Sequence, residues 1–175
     1  MRTQKKGRIA FAVCGSFCTL EAALAAAQQL TEQGWELLPI MSFAAKQDTR
    51  FGTGQFWQER LEALTGHAVL DTLQAVEPLG PKKLVSALVI APCTGATLAR
   101  LAEGLSDNYL NEARVREAML KHARQRFLIM DHTKFDESAN IRFNGLELVN
   151  AIITDIQPSA EWAAFCQSKN IRLVY

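Results

Sequence analysis

Residues 88–108 read Leu88-Val89-Ile90-Ala91-Pro92-Cys93-Thr94-Gly95-Ala96-Thr97-Leu98-Ala99-Arg100-Leu101-Ala102-Glu103-Gly104-Leu105-Ser106-Asp107-Asn108. A short apolar run gives way at once to Pro, Gly and two Thr, then to apolar residues at helical spacing. That order predicts a buried parallel strand delivering a polar loop to the N-terminus of a helix. Such a junction presents backbone N–H groups and the positive end of a helix dipole, which suit an anionic or carbonyl-bearing ligand. An ordinary capped connection has the same spacing, so the pattern by itself names no ligand. It occurs once earlier, from Ile9 to Leu20, and two such loops in one sheet predict a cleft.

Upstream, Arg8 to Cys14 is a mostly apolar run ending in Gly15-Ser16, as expected of a strand buried on both faces. Phe17 to Gln33 carries Leu20, Ala23, Leu24, Ala27 and Leu30 at helical spacing; Thr19 is the expected cap, Glu21 the first-turn acid and Gly34 the stop. Trp35 to Met41 then completes a βαβ unit. Gln55 to Leu64 reads as an amphipathic helix closed by Thr65-Gly66, Val69-Leu70 as a short strand, and Asp71 to Val76 as a helical turn before Pro78, Gly80 and Pro81.

Downstream, Glu112 to Ala123 is a helix and Arg126 to Met130 a strand that ends in Asp131-His132-Thr133-Lys134-Phe135. Ile141 to Phe143 reads as an edge strand, Leu146 to Asn150 as a turn and Ala151 to Thr154 as a strand. Pro158 to Ser168 is a helix with Pro in its first turn, and Ile171 to Val174 a last strand. Alternation throughout predicts one α/β domain over residues 1–175. Its sheet is doubly wound, mainly parallel and Rossmann-like, with helices on both faces.

The totals bound the function. At 175 residues the chain can bury a substantial core, and 49% apolar with 21% charged residues is the balance of a soluble globular protein. A net charge of +1 gives no electrostatic footprint for nucleic acid or a membrane surface. The basic start (Arg2, Lys5, Lys6, Arg8) runs directly into a short strand rather than a signal or spanning segment, so a cytoplasmic location is expected. Cys14, Cys18, Cys93 and Cys166 fit no zinc spacing, so no metal is expected and the thiols read as reduced, small-residue positions.

Gly15-Ser16-Phe17-Cys18-Thr19 is neither a dinucleotide fingerprint nor a P-loop. A Gly followed by a hydroxyl at a strand–helix turn still suits a phosphate, through backbone N–H and the Ser16 hydroxyl. After the second strand, Ser42 opens a glycine-bearing loop containing Lys46 and Arg50, on the sheet edge where open α/β sheets bind ligands. Arg50 is the better phosphate candidate of the two, while Lys46 serves equally as a solvated charge. No general acid or base is assigned: His67 and His122 fall at helix positions, and His132 alone is loop-placed beside a candidate site. Asp107, Asp131 and Asp155 follow element ends and read as caps.

Five motifs carry a family resemblance: Gly15 to Thr19, Pro39 to Ser42, Asp48 to Gly52, Glu77 to Leu84 and Val89 to Ala99. In that order and spacing, residues 8 to about 108 resemble the dipicolinate synthase flavoprotein subunit family, within the flavoprotein superfamily that includes the flavin-containing cysteine decarboxylases. The resemblance implies a flavodoxin-like fold with FMN across the carboxyl edge. Gly15, Ser16, Phe17 and Ser42 would surround the flavin phosphate. Pro92, Cys93, Thr94, Gly95 and Thr97 would approach the ribityl chain and ring. It also implies an enzyme on a cyclic dihydrodipicolinate-type precursor, a dehydrogenase-like partner subunit and homo-oligomer contacts. The family carries Asn where this chain has Ala96, so one ligand-bonding amide is absent.

From Asn111 onward the motifs change. Glu112 to Met119, Asp131 to Phe135 and Ile153-Thr154-Asp155 resemble the end of the sugar-responsive effector domain of DeoR-type repressors. That resemblance implies a sugar-phosphate site at the Asp131–Phe135 loop, with Thr133 and Lys134 facing the phosphate; as an isolated feature, Lys134 is also an ordinary loop lysine. No helix-turn-helix lies upstream. The expected chain is a recombination of a flavoprotein-like segment (1–110) and an effector-like segment (111–175), engineered or a natural fusion. Its expected ligand is flavin or another small phosphorylated molecule, or none if the fold is only a scaffold. Recombination predicts one sheet crossing the junction; two separately closed sheets would exclude it.

Overall fold

In a computed structural model, residues 6–79, 82–95, 97, 124–135 and 148–175 are described. The strands are β1 (Gly7–Val13), β2 (Trp35–Met41), β3 (Ala87–Ile90), β4 (Gln125–Ile129), β5 (Ala151–Ile153) and β6 (Arg172–Val174). The helices are α1 (Leu20–Glu32), α2 (Gly54–Thr65), α3 (Leu73–Val76) and α4 (Ala160–Ser168). All six strands form one parallel sheet in the order β2-β1-β3-β4-β5-β6. This is the flavodoxin-like order, in which the winding reverses between β1 and β3. β3 pairs directly with β4, so one sheet carries strands from either side of residues 108–112.

The alternation of side chains along each strand divides the core in two. Ile9, Phe11, Val13, Val89 and Ala91 point to the face covered by α1 (Leu20, Ala23, Leu24, Ala27) and α2 (Trp57, Leu61). Ala10, Ala12, Cys14, Leu88, Ile90, Leu128 and Ile152 point to the other, covered by Val76 of α3, Leu79 and Trp162 and Cys166 of α4. Burial on both sides explains why β1 and β3 read as continuous apolar runs.

The helix ends follow local chemistry. Thr53 caps α2 by accepting the Phe56 N–H, and Gly66 ends it in the left-handed region at φ 70°. Gly54 is required by space: a Cβ there would lie 1.9 Å from the Lys46 carbonyl oxygen. Ser159 caps α4 through the Trp162 N–H. Pro158 therefore precedes the cap instead of occupying the first turn, because Ser159 supplies the acceptor that Pro cannot.

Two other expectations are corrected. Thr19 makes no side-chain cap: a 3-10 turn over Phe17–Thr19 runs into α1, and the Thr19 hydroxyl turns back to the Ser16 carbonyl at 3.2 Å. Val69-Leu70 forms no strand but a single bridge, with the Leu70 N–H donating to the Pro39 carbonyl on the outer side of β2. The helix at 112–123, the strand at 141–143, and Ala96, Gly80 and Pro81 lie outside the described residues, as does most of the turn at 146–150.

Candidate functional site

The carboxyl ends of β1, β2 and β3 carry three loops of one design. After β1, the Ser16 hydroxyl contacts the Thr19 hydroxyl at 3.1 Å. After β2, the Ser42 hydroxyl accepts the Ala45 N–H at 3.2 Å. After β3, the Thr94 hydroxyl accepts the Thr97 N–H at 3.0 Å and lies 2.9 Å from the Thr97 hydroxyl. After β2 and β3 the hydroxyl accepts an N–H three residues on, the local chemistry of Ser and Thr at the start of a helical segment; after β1 the Thr19 N–H closes the turn on the Ser16 carbonyl, with the two hydroxyls in contact. Each hydroxyl keeps lone-pair capacity beyond that bond.

The loops form one edge. Ser42 N–H donates to the Val13 carbonyl, and Cys14 N–H reaches the Pro92 carbonyl at 3.4 Å across the β1/β3 switch point. A Cβ on Gly15 would sit 3.2 Å from the Ala44 Cβ, so the β1 and β2 loops are in contact. Ser16 and Thr97 are buried, as are Pro92 and Cys93; the Ala91–Pro92 peptide is cis. Gly15, Ser16, Phe17, Ser42, Pro92, Cys93, Thr94, Gly95 and Thr97 thus fall together at the reversal point, the crevice in which doubly wound sheets take ligands. The segments 15–19, 42–45 and 92–95 contain no charged side chain.

The predicted cations behave differently. Lys46 pairs with Asp71 at 2.5 Å. Arg50 lies over the Phe51 ring, 4.8 Å from its centre. Lys134 is 3.9 Å from Asp131, with only 17% of its side chain exposed. Thr133 donates both its N–H and its hydroxyl to Asp131. Asp131 therefore knits the β4 loop from within, and Thr133 and Lys134 are engaged there instead of standing free.

A pairing not read from the sequence lies beside that loop. The Asp155 carboxylate accepts the His132 N–H at 2.7 Å and lies 3.1 Å from the imidazole Nδ1. These bonds hold its pKa down to about 2, the ring contact being the largest cause. The parallel register Ile129↔Ile153 sets the two loops side by side, and that register is the signal by which residues so distant in sequence become neighbours. Elsewhere, the Val69 N–H and then the Gln58 amide hold Glu62 below its usual range, and burial pushes the Cys166 thiol up. None of the four cysteines is in a disulfide. Among the described residues no group of His, Cys, Asp or Glu is placed to hold a metal, and no helix is long and apolar enough to cross a membrane.

Comparison with known proteins adds two lineages. Over 109 residues the chain is 39% identical to the B-type subunit of dipicolinate synthase from Bacillus subtilis (strain 168), covering 62% of this chain and 54% of that protein. Over 65 residues it is 35% identical to the HTH-type transcriptional repressor CsqR of Escherichia coli (strain K12), covering 37% of this chain and 25% of that protein. The chain thus spans about half the length of the first relative and a quarter of the second.

Among solved structures, the same dipicolinate synthase subunit from Bacillus halodurans C superposes with TM-score 0.58 at 25% identity, over 74% of this chain and 66% of that one. Burkholderia xenovorans DmrB in complex with FMN, a cubic protein cage for redox transfer, superposes with TM-score 0.59 at 20% identity over 96% of this chain and 87% of that one. At that identity the second likeness shows the fold alone. The model of the DeoR C terminal sensor domain matches residues 44–156, starting well before the Asn111 boundary drawn from motifs. That match takes in more than half of the chain, which belongs to the DeoR C terminal sensor domain family.

Proposed function

We propose that this chain is an FMN-binding protein related to the dipicolinate synthase flavoprotein subunit. One observation carries the reading: three uncharged, hydroxyl-bearing loops lie at the carboxyl ends of β1, β2 and β3, around the β1/β3 switch point. Their chemistry fits a phosphorylated flavin, because the segments 15–19, 42–45 and 92–95 offer N–H groups and hydroxyls and carry no charged side chain of their own. Ser16 and Ser42 hold the phosphate, Gly15 and Phe17 shape the turn, and the Pro92–Thr97 loop lies along the ribityl chain and ring. FMN, when bound, supplies an electron-accepting ring; the chain binds, orients and partly dries it. Two relatives support the reading by their names alone: one is a subunit of a synthase, the other an FMN complex that assembles as a cage. Self-association and a cytoplasmic location belong to the same proposal.

Titration of the purified chain with FMN, followed by flavin fluorescence and thermal shift, tests it. Quenching with a rise in Tm is expected, and Ser16→Ala with Ser42→Ala weakens both. No quenching and no shift at high micromolar FMN ends the reading.

The proposal stops short of the synthase reaction, since the chain spans only half of that subunit. The two matching stretches, 109 and 65 residues, together approach the length of the chain. That supports one domain recombined near residues 108–112, engineered or natural, and the engineered case includes a scaffold with no physiological ligand. A second reading, a sugar-phosphate sensor using Thr133 and Lys134 with Arg50 as a further cation, is favoured by the family match. Lys134→Ala abolishes sugar-phosphate binding and spares FMN if that reading holds.

A further inference from the structure

A cleft of about 380 Å³ runs along α1 on the face of the sheet opposite α4. There α1 and α2 pack with β1 and β2 side chains, while Trp162 and Cys166 place α4 on the other face. Ile129 and Ile153, at the ends of β4 and β5, consequently stay half-buried. Ala22, Ala26 and Leu30, four residues apart, form one row along α1, and Phe11, Ile129 and Ile153 line the cleft with them. That row spans about 12 Å at the helical rise, so the cleft is a trough the length of a medium alkyl chain.

Its polar lining is Thr19, Asp131, Thr154 and Asp155, all at the carboxyl edge of the sheet, where α1 begins and β4 and β5 end. Each is spent within the chain. Asp131 accepts the N–H and the hydroxyl of Thr133 and pairs with Lys134 at 3.9 Å. Asp155 accepts the His132 N–H at 2.7 Å and the Thr154 hydroxyl at 3.2 Å, with the His132 ring at 3.1 Å. The Thr19 hydroxyl donates to the Ser16 carbonyl at 3.2 Å. No Lys or Arg lines the cleft among the described residues. A cation therefore meets carboxylates already occupied by internal donors, and an anion meets the same carboxylates with no cation in the wall. Either ion gives up its water without gaining a partner, whereas an uncharged hydrocarbon gains by leaving water. A small apolar cavity with a few polar groups at one end is the usual form of a small-molecule site.

We propose that this trough binds an uncharged aliphatic chain of medium length. The chain lies along Ala22, Ala26 and Leu30 against Ile129 and Ile153, with any neutral polar head at the Thr19 end. Of the residues proposed for flavin, Pro92 alone lines the cleft, so this site stands apart from the FMN reading.

The test titrates the full chain with 1-octanol, octanoate and octylammonium, read by methyl chemical shifts of Ile129 and Ile153. Octanol is expected to bind about tenfold more tightly than either ion, and shortening the alcohol to weaken binding about fourfold per CH₂ removed. Ala26→Phe, at an exposed position of α1, fills the trough and abolishes octanol binding. Gln28→Phe, exposed on the same helix but outside the cleft lining, leaves it unchanged. Either ion binding as tightly as octanol, shifts that miss both isoleucines, or octanol binding that survives Ala26→Phe overturns the proposal. Octanol affinity that falls as protein concentration rises assigns the trough to a second copy of the chain, and competitive displacement by FMN assigns it to the flavin site; both overturn it.

Discussion

The two halves of the sheet share one architecture and differ in the chemistry of their loops. On the β2-β1-β3 side the turns carry uncharged hydroxyls: Ser16 against the Thr19 hydroxyl, Ser42 to the Ala45 N–H, Thr94 to the Thr97 N–H. On the β4-β5 side they close on carboxylates, with Asp131 holding Thr133 and Asp155 holding His132. A hydroxyl turn leaves the helix-end field open to an incoming anion. A carboxylate turn fills it from within. One strand order thus supports two kinds of turn a few strands apart, distinguished by the side chain that completes each.

Four experiments sharpen or break that contrast. Gly54→Ala has the largest expected effect: its Cβ cannot coexist with the Lys46 carbonyl at 1.9 Å, and unfolding free energy falls by about 3 kcal/mol or more in urea titration. The β2 loop deforms with it, and FMN binding in a fluorescence titration is expected to weaken. Next, Leu88→Ala and Leu128→Ala remove fully buried side chains on either side of the β3–β4 pairing. Each is expected to cost about 3 kcal/mol within a single transition. Two resolved transitions would mean that the halves fold separately and that the contrast joins two domains.

The capping residues come third. Thr53→Ala and Ser159→Ala, one from each half, are expected to lower stability by about 1 kcal/mol apiece. The smallest effect is electrostatic. Asp155 titrates near 2 in the folded chain against 3.8 when unperturbed, so its contribution is present above about pH 4 and lost as pH falls toward 2. Exposure makes that contribution small. Asp155→Asn flattens the stability profile between pH 2 and 4; an unchanged profile would remove the carboxylate from the description of this half.

Much of this was legible before the structure. Continuous apolar runs such as Arg8–Cys14 and Leu88–Ala91 marked strands buried on both faces, and Gly34 and Gly66 marked helix ends. The convergence of Ser16, Ser42 and Thr94 followed from strand–loop–helix spacing together with family resemblance. The engagement of Lys134 was not legible, because its partner Asp131 reads equally as a cap. The His132–Asp155 pair depends on the β4–β5 register, a non-local quantity. Thr19 misled because Ser and Thr close 3-10 turns as readily as they cap helices.

Pro39 occupies the middle of β2, at the rim of the sheet, and its carbonyl is already bonded to Leu70. Its missing N–H falls on that outer side, so a foreign strand would find one position without a donor and the next acceptor taken. The opposite rim, β6, offers only three residues. Strand addition is therefore opposed at the β2 rim by Pro39 and its partner Leu70.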